Sequence, residues 1–231
     1  MKNALRSLTA VAIGLAVFAA SPAAHATLLP PDSTIVPSPQ LNPLTGTTMM
    51  GTTGAQPFNV SQNGASMTGT AQEWVVSNFT ANPFGLNDLT FVIQVSLTGG
   101  TSTSGSSAII QRIADSGFGI SPITDAGYNA TGAQVIPTTA DRSPDGDIVA
   151  FSYLPHAGLA PSTNIGVGQS SALLIINTNA TQYTLSNLSV QGTVAANVLG
   201  FAPVPEPSML ALSAAGLGGI MLRRRRTSSA A

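Results

Sequence analysis

The chain has 231 residues, 43% hydrophobic and only 7% charged, with 8 basic against 9 acidic side chains and no cysteine. An ordinary soluble domain carries roughly 25% charged residues, so the surface here is covered by uncharged polar groups, which suits the outside of a cell, and disulfides are excluded as a source of stability. Six basic residues sit at the ends, leaving Arg112 and Arg142 against nine acids in the body, a net charge of −7, which excludes a nucleic-acid-binding body.

The first element is a leader. Lys2 and Arg6 precede an uncharged apolar run over residues 8–20, followed by Ser21, Pro22 and the small-residue sequence Ala24-His25-Ala26. This is the layout of a secretory signal peptide occupying residues 1–26, with cleavage after Ala26 and Ala24 at the other small-residue position. Residues 27–55 follow as an extended Pro/Thr-rich lead-in, in which Pro30, Pro31, Pro37, Pro39 and Pro43 interrupt any sustained periodicity.

Residues 56–201 change to short runs of period two. Leu89, Phe91, Ile93, Val95 and Leu97 alternate with Thr90, Gln94, Ser96 and Thr98, and only Val92 breaks the rule, so the run reads as a half-buried strand. Further strands are expected over residues 73–80, 108–113, 148–153, 172–177 and 188–194. The continuous run Leu173-Leu174-Ile175-Ile176 marks a central strand covered on both faces. With turn-rich segments between the strands and no helical periodicity, the expected fold is all-β: an antiparallel β-sandwich or jelly roll, large enough for one disulfide-free core.

The tail has three parts: a Pro-rich linker over residues 202–207, an apolar stretch over 208–222, and a short end over 223–231 that opens with Arg223, Arg224, Arg225 and Arg226. The apolar stretch has 15 residues, about 22 Å as a helix at ~1.5 Å per residue. A hydrocarbon core is about 30 Å thick, so it reads as a short transmembrane helix. The arginines form a membrane stop and stay cytoplasmic by the positive-inside rule. Pro205 and Pro207 flank Glu206, fix the local backbone and withhold amide donors, so the junction resists helix and sheet formation.

The string Val204-Pro205-Glu206-Pro207-Ser208, the apolar stretch and the arginine cluster together resemble the PEP-CTERM sorting signal of exported Gram-negative bacterial proteins. That resemblance implies recognition by an exosortase, an integral-membrane cysteine protease-transpeptidase, near Pro205-Glu206-Pro207, with removal of the helix. It also implies passage through the export machinery across the inner membrane, transient anchoring, and then residence in the cell envelope or outside the cell, in biofilm-forming bacteria. The body resembles, more loosely, the choice-of-anchor β-sandwich domains that precede such signals, which implies a fold and no ligand.

Candidate chemistry in the body is sparse. Asp141, Ser143 and Asp145 occupy positions 1, 3 and 5 of a calcium-loop pattern with Gly146 at 6, and Asp147 adds a further oxygen. The twelfth position is Ser152 rather than a carboxylate, so a hairpin turn carried by Asp145-Gly146 is the preferred reading and no cofactor is expected. His156 is the one histidine left after leader removal and reads as a loop residue, with no G-x-S-x-G elbow to serve a triad. Glu73, Asp88, Asp115 and Asp125 could supply a glycosidase pair only if folding brings two together. Trp74, Tyr128, Tyr153 and Tyr183 could stack on exopolysaccharide, against the simpler reading as packing aromatics. The leading expectation is therefore a non-enzymatic exported protein; a carbohydrate-binding module and, behind it, a secreted hydrolase are the alternatives.

Overall fold

The computed structural model describes residues 27–119, 123–155 and 164–204. The expected leader (1–26), the apolar stretch and the arginine run lie outside the described residues. Sixteen strands form: β1 (Thr27–Leu28), β2 (Ser33–Ile35), β3 (Ser38–Pro39), β4 (Thr48–Thr52), β5 (Gln56–Gln62), β6 (Ala65–Ser77), β7 (Thr90–Thr101), β8 (Ile109–Asp115), β9 (Thr124–Asn129), β10 (Thr139–Arg142), β11 (Val149–Ser152), β12 (Ile165–Gly166), β13 (Gln169–Ser170), β14 (Leu173–Thr178), β15 (Tyr183–Gly192) and β16 (Ala195–Pro203). No helix occurs among the described residues.

The strands build two sheets. One runs β1-β9-β14-β7-β6-β4, with β13 beside β7, β3 beside β9 and β5 beside β6; the other runs β16-β15-β8-β11-β10-β2, with β12 beside β8. Strand pairing is antiparallel except where β3 lies parallel to β9. The expected all-β, antiparallel sandwich is the architecture observed, and one apolar core lies between the sheets.

Local sequence accounts for several elements directly. In β7, Phe91, Ile93, Val95 and Leu97 enter the core, while Val92, which breaks the alternation, packs on the outer face with Val76, Leu173, Leu44 and Trp74. The continuous run in β14 is central between β9 and β7 and buried on every residue: Leu174 and Ile176 point into the core and Leu173 joins the outer cluster. The β5–β6 hairpin turns through Asn63-Gly64, both at positive φ (50° and 79°), the turn chemistry that matches the twist of the flanking strands.

Other elements carry no strong local signal. The first half of β6 alternates Ala65, Met67, Gly69 and Ala71 on its inner side, too small and mixed to stand out, and the strand is therefore longer at its start than the apolar pattern over 73–80 suggests. Strand β9, Thr-Asp-Ala-Gly-Tyr-Asn, has no β-branched apolar residue and is held by its neighbours β14 and β1. The proline-rich stretch before β5 supplies β1, β3 and β4 to one sheet and β2 to the other. On β8, Ile110 and Arg112 pair with Gly192 and Gln191, leaving Gln111 as an extra residue. That bulge lets Ile110 and Ile113 both enter the core despite odd spacing.

Candidate functional site: the last strand, its exit and the acid pair behind it

Strand β16 is an edge, and its free side is covered by side chains. The Leu199 N–H donates to Gln56 Oε1 (3.1 Å) while Gln56 Nε2 donates to the Leu199 carbonyl (2.8 Å), so one amide closes both groups of one residue. Two residues on, the Phe201 N–H donates to Glu73 Oε2 (2.9 Å). After two more comes Pro203, which has no N–H to offer. An edge blocked in this way does not template pairing with another chain. Strand pairing runs to Tyr183 opposite Pro203, and the Val204 N–H donates to the Gln182 carbonyl (2.9 Å). The folded body therefore continues through Val204, and Pro205, Glu206, Pro207 and Ser208 follow outside the described residues.

Behind β16 sits a pair of carboxyl groups. Glu73 of β6 and Asp115 of β8 come from opposite sheets, and both are fully buried. Asp115 Oδ1 accepts the Ser116 N–H (3.0 Å) and the Ser186 hydroxyl (3.5 Å). Glu73 Oε1 and Asp115 Oδ2 meet no donor group of the protein, yet the two carboxyl groups lie in hydrogen-bonding contact with each other. A proton held between them is the donor that satisfies both. Burial pushes both acids well above the usual carboxylate range, and the Asp115 charge pushes Glu73 further, whereas hydrogen bonds from Glu73, Ser116 and Ser186 hold Asp115 back. The Phe201 N–H in turn holds Glu73 back, so the two acids share one proton between them. Gly200 of β16 makes room for the pair: a Cβ there would lie 3.0 Å from Glu73 Oε2 and 3.2 Å from Asp115 Oδ1.

Of the four carboxylates weighed as a hydrolytic pair, folding thus brings together Glu73 and Asp115. The contact lies in the interior, and two surface grooves, one beside Arg112 and Asp141 and one beside Ser102 and Thr193, are lined by neither residue. Asp125 joins a different network. Its Oδ2 accepts from Asn177 Nδ2 (2.8 Å) and Gln40 Nε2 (3.0 Å), its Oδ1 is buried without a partner, and burial raises it to about 6. Gln40 reaches this site by crossing Gly127, where any side chain would collide with it. Asp88 lies half-buried in the loop after β6.

The segment 141–147 forms the hairpin turn between β10 and β11. Arg112 grips Asp141 with both terminal nitrogens (2.7 and 2.6 Å). The Ser143 hydroxyl donates to Asp145 Oδ1 (2.5 Å), which also accepts the Asp147 N–H (3.1 Å), and Gly146 takes the positive φ of 74°. These bonds hold Asp145 below the usual range. No group of three or more Asp, Glu or His side chains placed to hold a metal ion occurs among the described residues. The turn borders an open groove of about 620 Å³ on the second sheet, whose lining includes Arg112, Asp141, Thr34, Thr139, Ser143 and Ser152.

The aromatics are mostly engaged in packing. Trp74 sits half-buried against Leu44, Val76, Val92 and Leu173, Tyr153 is fully buried, and Tyr183 stands edge-on to Phe201 with centroids 5.2 Å apart, its hydroxyl on the Met50 carbonyl (2.7 Å). Tyr128 is half-buried on β9. His156, Ala24 and Ala26 lie outside the described residues. Gln56, Gln182, Gln40 and Gly200, which build the exit and its supports, are neutral residues of common type, and no pattern in the sequence distinguishes them from their neighbours.

Fold and site together define an all-β sandwich whose last strand is followed, after a few residues of Pro-rich linker, by an apolar stretch and an arginine cluster. Residues 203–226 match the PEP-CTERM protein-sorting motif, which bears out the resemblance seen in the tail and indicates a substrate of exosortase-dependent sorting. No curated protein and no solved structure matches the chain.

Proposed function

We propose that the chain is an exported, non-enzymatic protein of the cell envelope or extracellular matrix. Its tail is held briefly in the inner membrane and is removed by an exosortase at Pro205-Glu206-Pro207. The observation that supports this reading is the coincidence of two boundaries: the sorting motif begins at residue 203, and Val204, the last described residue, is still hydrogen-bonded into the sandwich. A cut beyond Val204 frees the body without breaking its sheet, and the two prolines keep the cut region from being drawn into it. Mass spectrometry of the mature protein from an exosortase-bearing host tests this. Loss of residues 209–222 is expected, with retention in a strain lacking the enzyme; mature material that keeps the whole tail in both strains refutes it.

A second reading, binding of exopolysaccharide, is favoured by the groove beside Arg112 and Asp141 more than by Trp74, because the groove is open and lined by hydroxyls while Trp74 is occupied by apolar neighbours. Titration with the host's polysaccharide, in the protein and in Arg112→Ala, decides it; unchanged binding in the variant removes the groove from consideration.

A further inference from the structure

We infer that the end of the sandwich from which the tail departs is a membrane-facing surface that rests on the interfacial layer of the bilayer for as long as the tail is attached. The inference rests on the reading of residues 208–222 as a membrane segment and adds which surface of the body meets the lipid.

The tether sets the first constraint. Val204 is hydrogen-bonded into the body, and only residues 205–208 separate it from Met209 in the apolar stretch. The five Cα steps from Val204 to Met209 span at most about 18 Å when fully extended, so this end of the sandwich cannot leave the membrane surface while the tail is embedded.

The second constraint is the chemistry of that end. Loop 179–182 is its centre: Gln182 receives Val204, Ala180 accepts the Leu89 N–H (2.8 Å), and Asn179 Oδ1 accepts the Ile123 N–H (2.9 Å). Leu86 belongs to the same cluster through its carbonyl, which accepts the Asn78 N–H (2.6 Å). Met50 is held by the Tyr183 hydroxyl, and Met49 pairs with Val76 near the end of β6. Leu185 lies opposite Phe201, three residues before the exit. These five side chains are large, apolar and open to solvent: Met49 49%, Met50 46%, Leu86 55%, Ile123 53% and Leu185 62%.

The far end of the sandwich is different in kind. Its turns are Asn63-Gly64, the serine-rich hairpin over residues 102–107, Gly168 and Thr193, and among the large apolar side chains exposed in the described residues it contributes Val167 and, next to Tyr153 whose N–H donates to the Gln111 carbonyl, Leu154, two against the five at the tethered end. An apolar end next to the tether and a hydroxyl-rich end away from it give the body a polarity along its long direction, and apolar side chains at a membrane surface gain by entering the headgroup boundary. The exposed acids Asp32 and Asp145, with Asp147 half-buried beside them, lie at the β2–β10–β11 side, the edge of the second sheet opposite β16. Desolvating them would be costly, so the body leans toward its β4–β16 side. Asp88 stands half-buried in the same loop as Leu86, and Arg142, the basic side chain nearest this end, is buried, so attraction to the lipid comes from apolar contact rather than charge.

The chain has no cysteine, which makes single-cysteine labelling clean. Leader-free full-length protein is reconstituted into phosphatidylcholine vesicles containing a nitroxide-labelled lipid, with an environment-sensitive fluorophore at Leu86→Cys, Ile123→Cys, Ser104→Cys on the far hairpin, or Ser213→Cys in the apolar stretch. The expected result is strong quenching at 213, and quenching at 86 and 123 at least about threefold above that at 104. Equal quenching at 86, 123 and 104 with strong quenching at 213 overturns the inference and leaves the anchor intact; so does protection at 86 and 123 without lipid quenching, which would mean a protein cover. Absence of quenching at 213 overturns both the anchor and the inference.

Discussion

Asp125 provides the sharpest test of the forces inside the sandwich. It lies under the proline-rich stretch, mostly buried, and burial raises its carboxyl from 3.8 to about 6, against the stabilising hydrogen bonds from Asn177 and Gln40. A raised folded-state value means that the protonated acid favours the fold: that contribution is complete below about pH 4 and is lost as pH rises through about 6. A shift of roughly 2 units at ~1.36 kcal/mol per unit amounts to about 3 kcal/mol over that window. Asp125→Asn keeps an acceptor for both donors and cannot ionise, although its amide nitrogen takes the place of the unpartnered Oδ1 and adds a pH-independent cost of about 1–3 kcal/mol. The assay is urea denaturation of the body, residues 27–204, at intervals from pH 3.5 to 8 for both proteins. The difference in unfolding free energy, variant minus wild type, should climb by about 3 kcal/mol between pH 4 and 7.5. Two curves that run parallel to within about 0.5 kcal/mol would refute the assignment.

The remaining expectations concern the acid pair, the last strand and the turn. Glu73→Gln keeps an acceptor for Phe201 and supplies Asp115 with a permanent donor, so the unfolding midpoint at pH 8 should rise above wild type while the two converge at pH 4, where wild type already holds its proton; a lower midpoint at both pH values would contradict the shared-proton arrangement. Gly200→Ala drives a methyl group against Glu73, Asp115 and the Leu188 N–H (3.1 Å), with a cost of about 1–3 kcal/mol as for other overpacked sites, read as faster hydrogen exchange along β16 than along β14. Millimolar calcium should leave the thermal midpoint of the body unchanged, since Asp141 is taken by Arg112 and Asp145 by its own turn; a rise of several degrees would restore the loop as a metal site.

The sorting signal in the tail was legible because it depends on properties that neighbouring residues share: length of an apolar run, the sign of the charge beside it, and the backbone limits of proline. The match over residues 203–226 begins where those properties begin. Likewise β7 and β14 could be read in advance, since a strand between a core and a cover shows a period of two or a continuous apolar run. Strand β9, the small-residue half of β6 and the strands of the proline-rich stretch could not, because their hydrogen-bonding partners come from distant segments and their own side chains bury little.

The acid pair shows where local reading stops. Glu73 and Asp115 were two of four unremarkable carboxylates, and only the stacking of β6 over β8, with Gly200 leaving space, placed them in contact. The sequence alone determined that the tail carries a sorting signal and that the body is all-β and antiparallel, since both follow from patterns along neighbouring residues. The tertiary structure decided which acids share a proton, which amides close the last edge and which end of the body carries the exposed apolar side chains, because those depend on distances between residues that the chain order keeps apart.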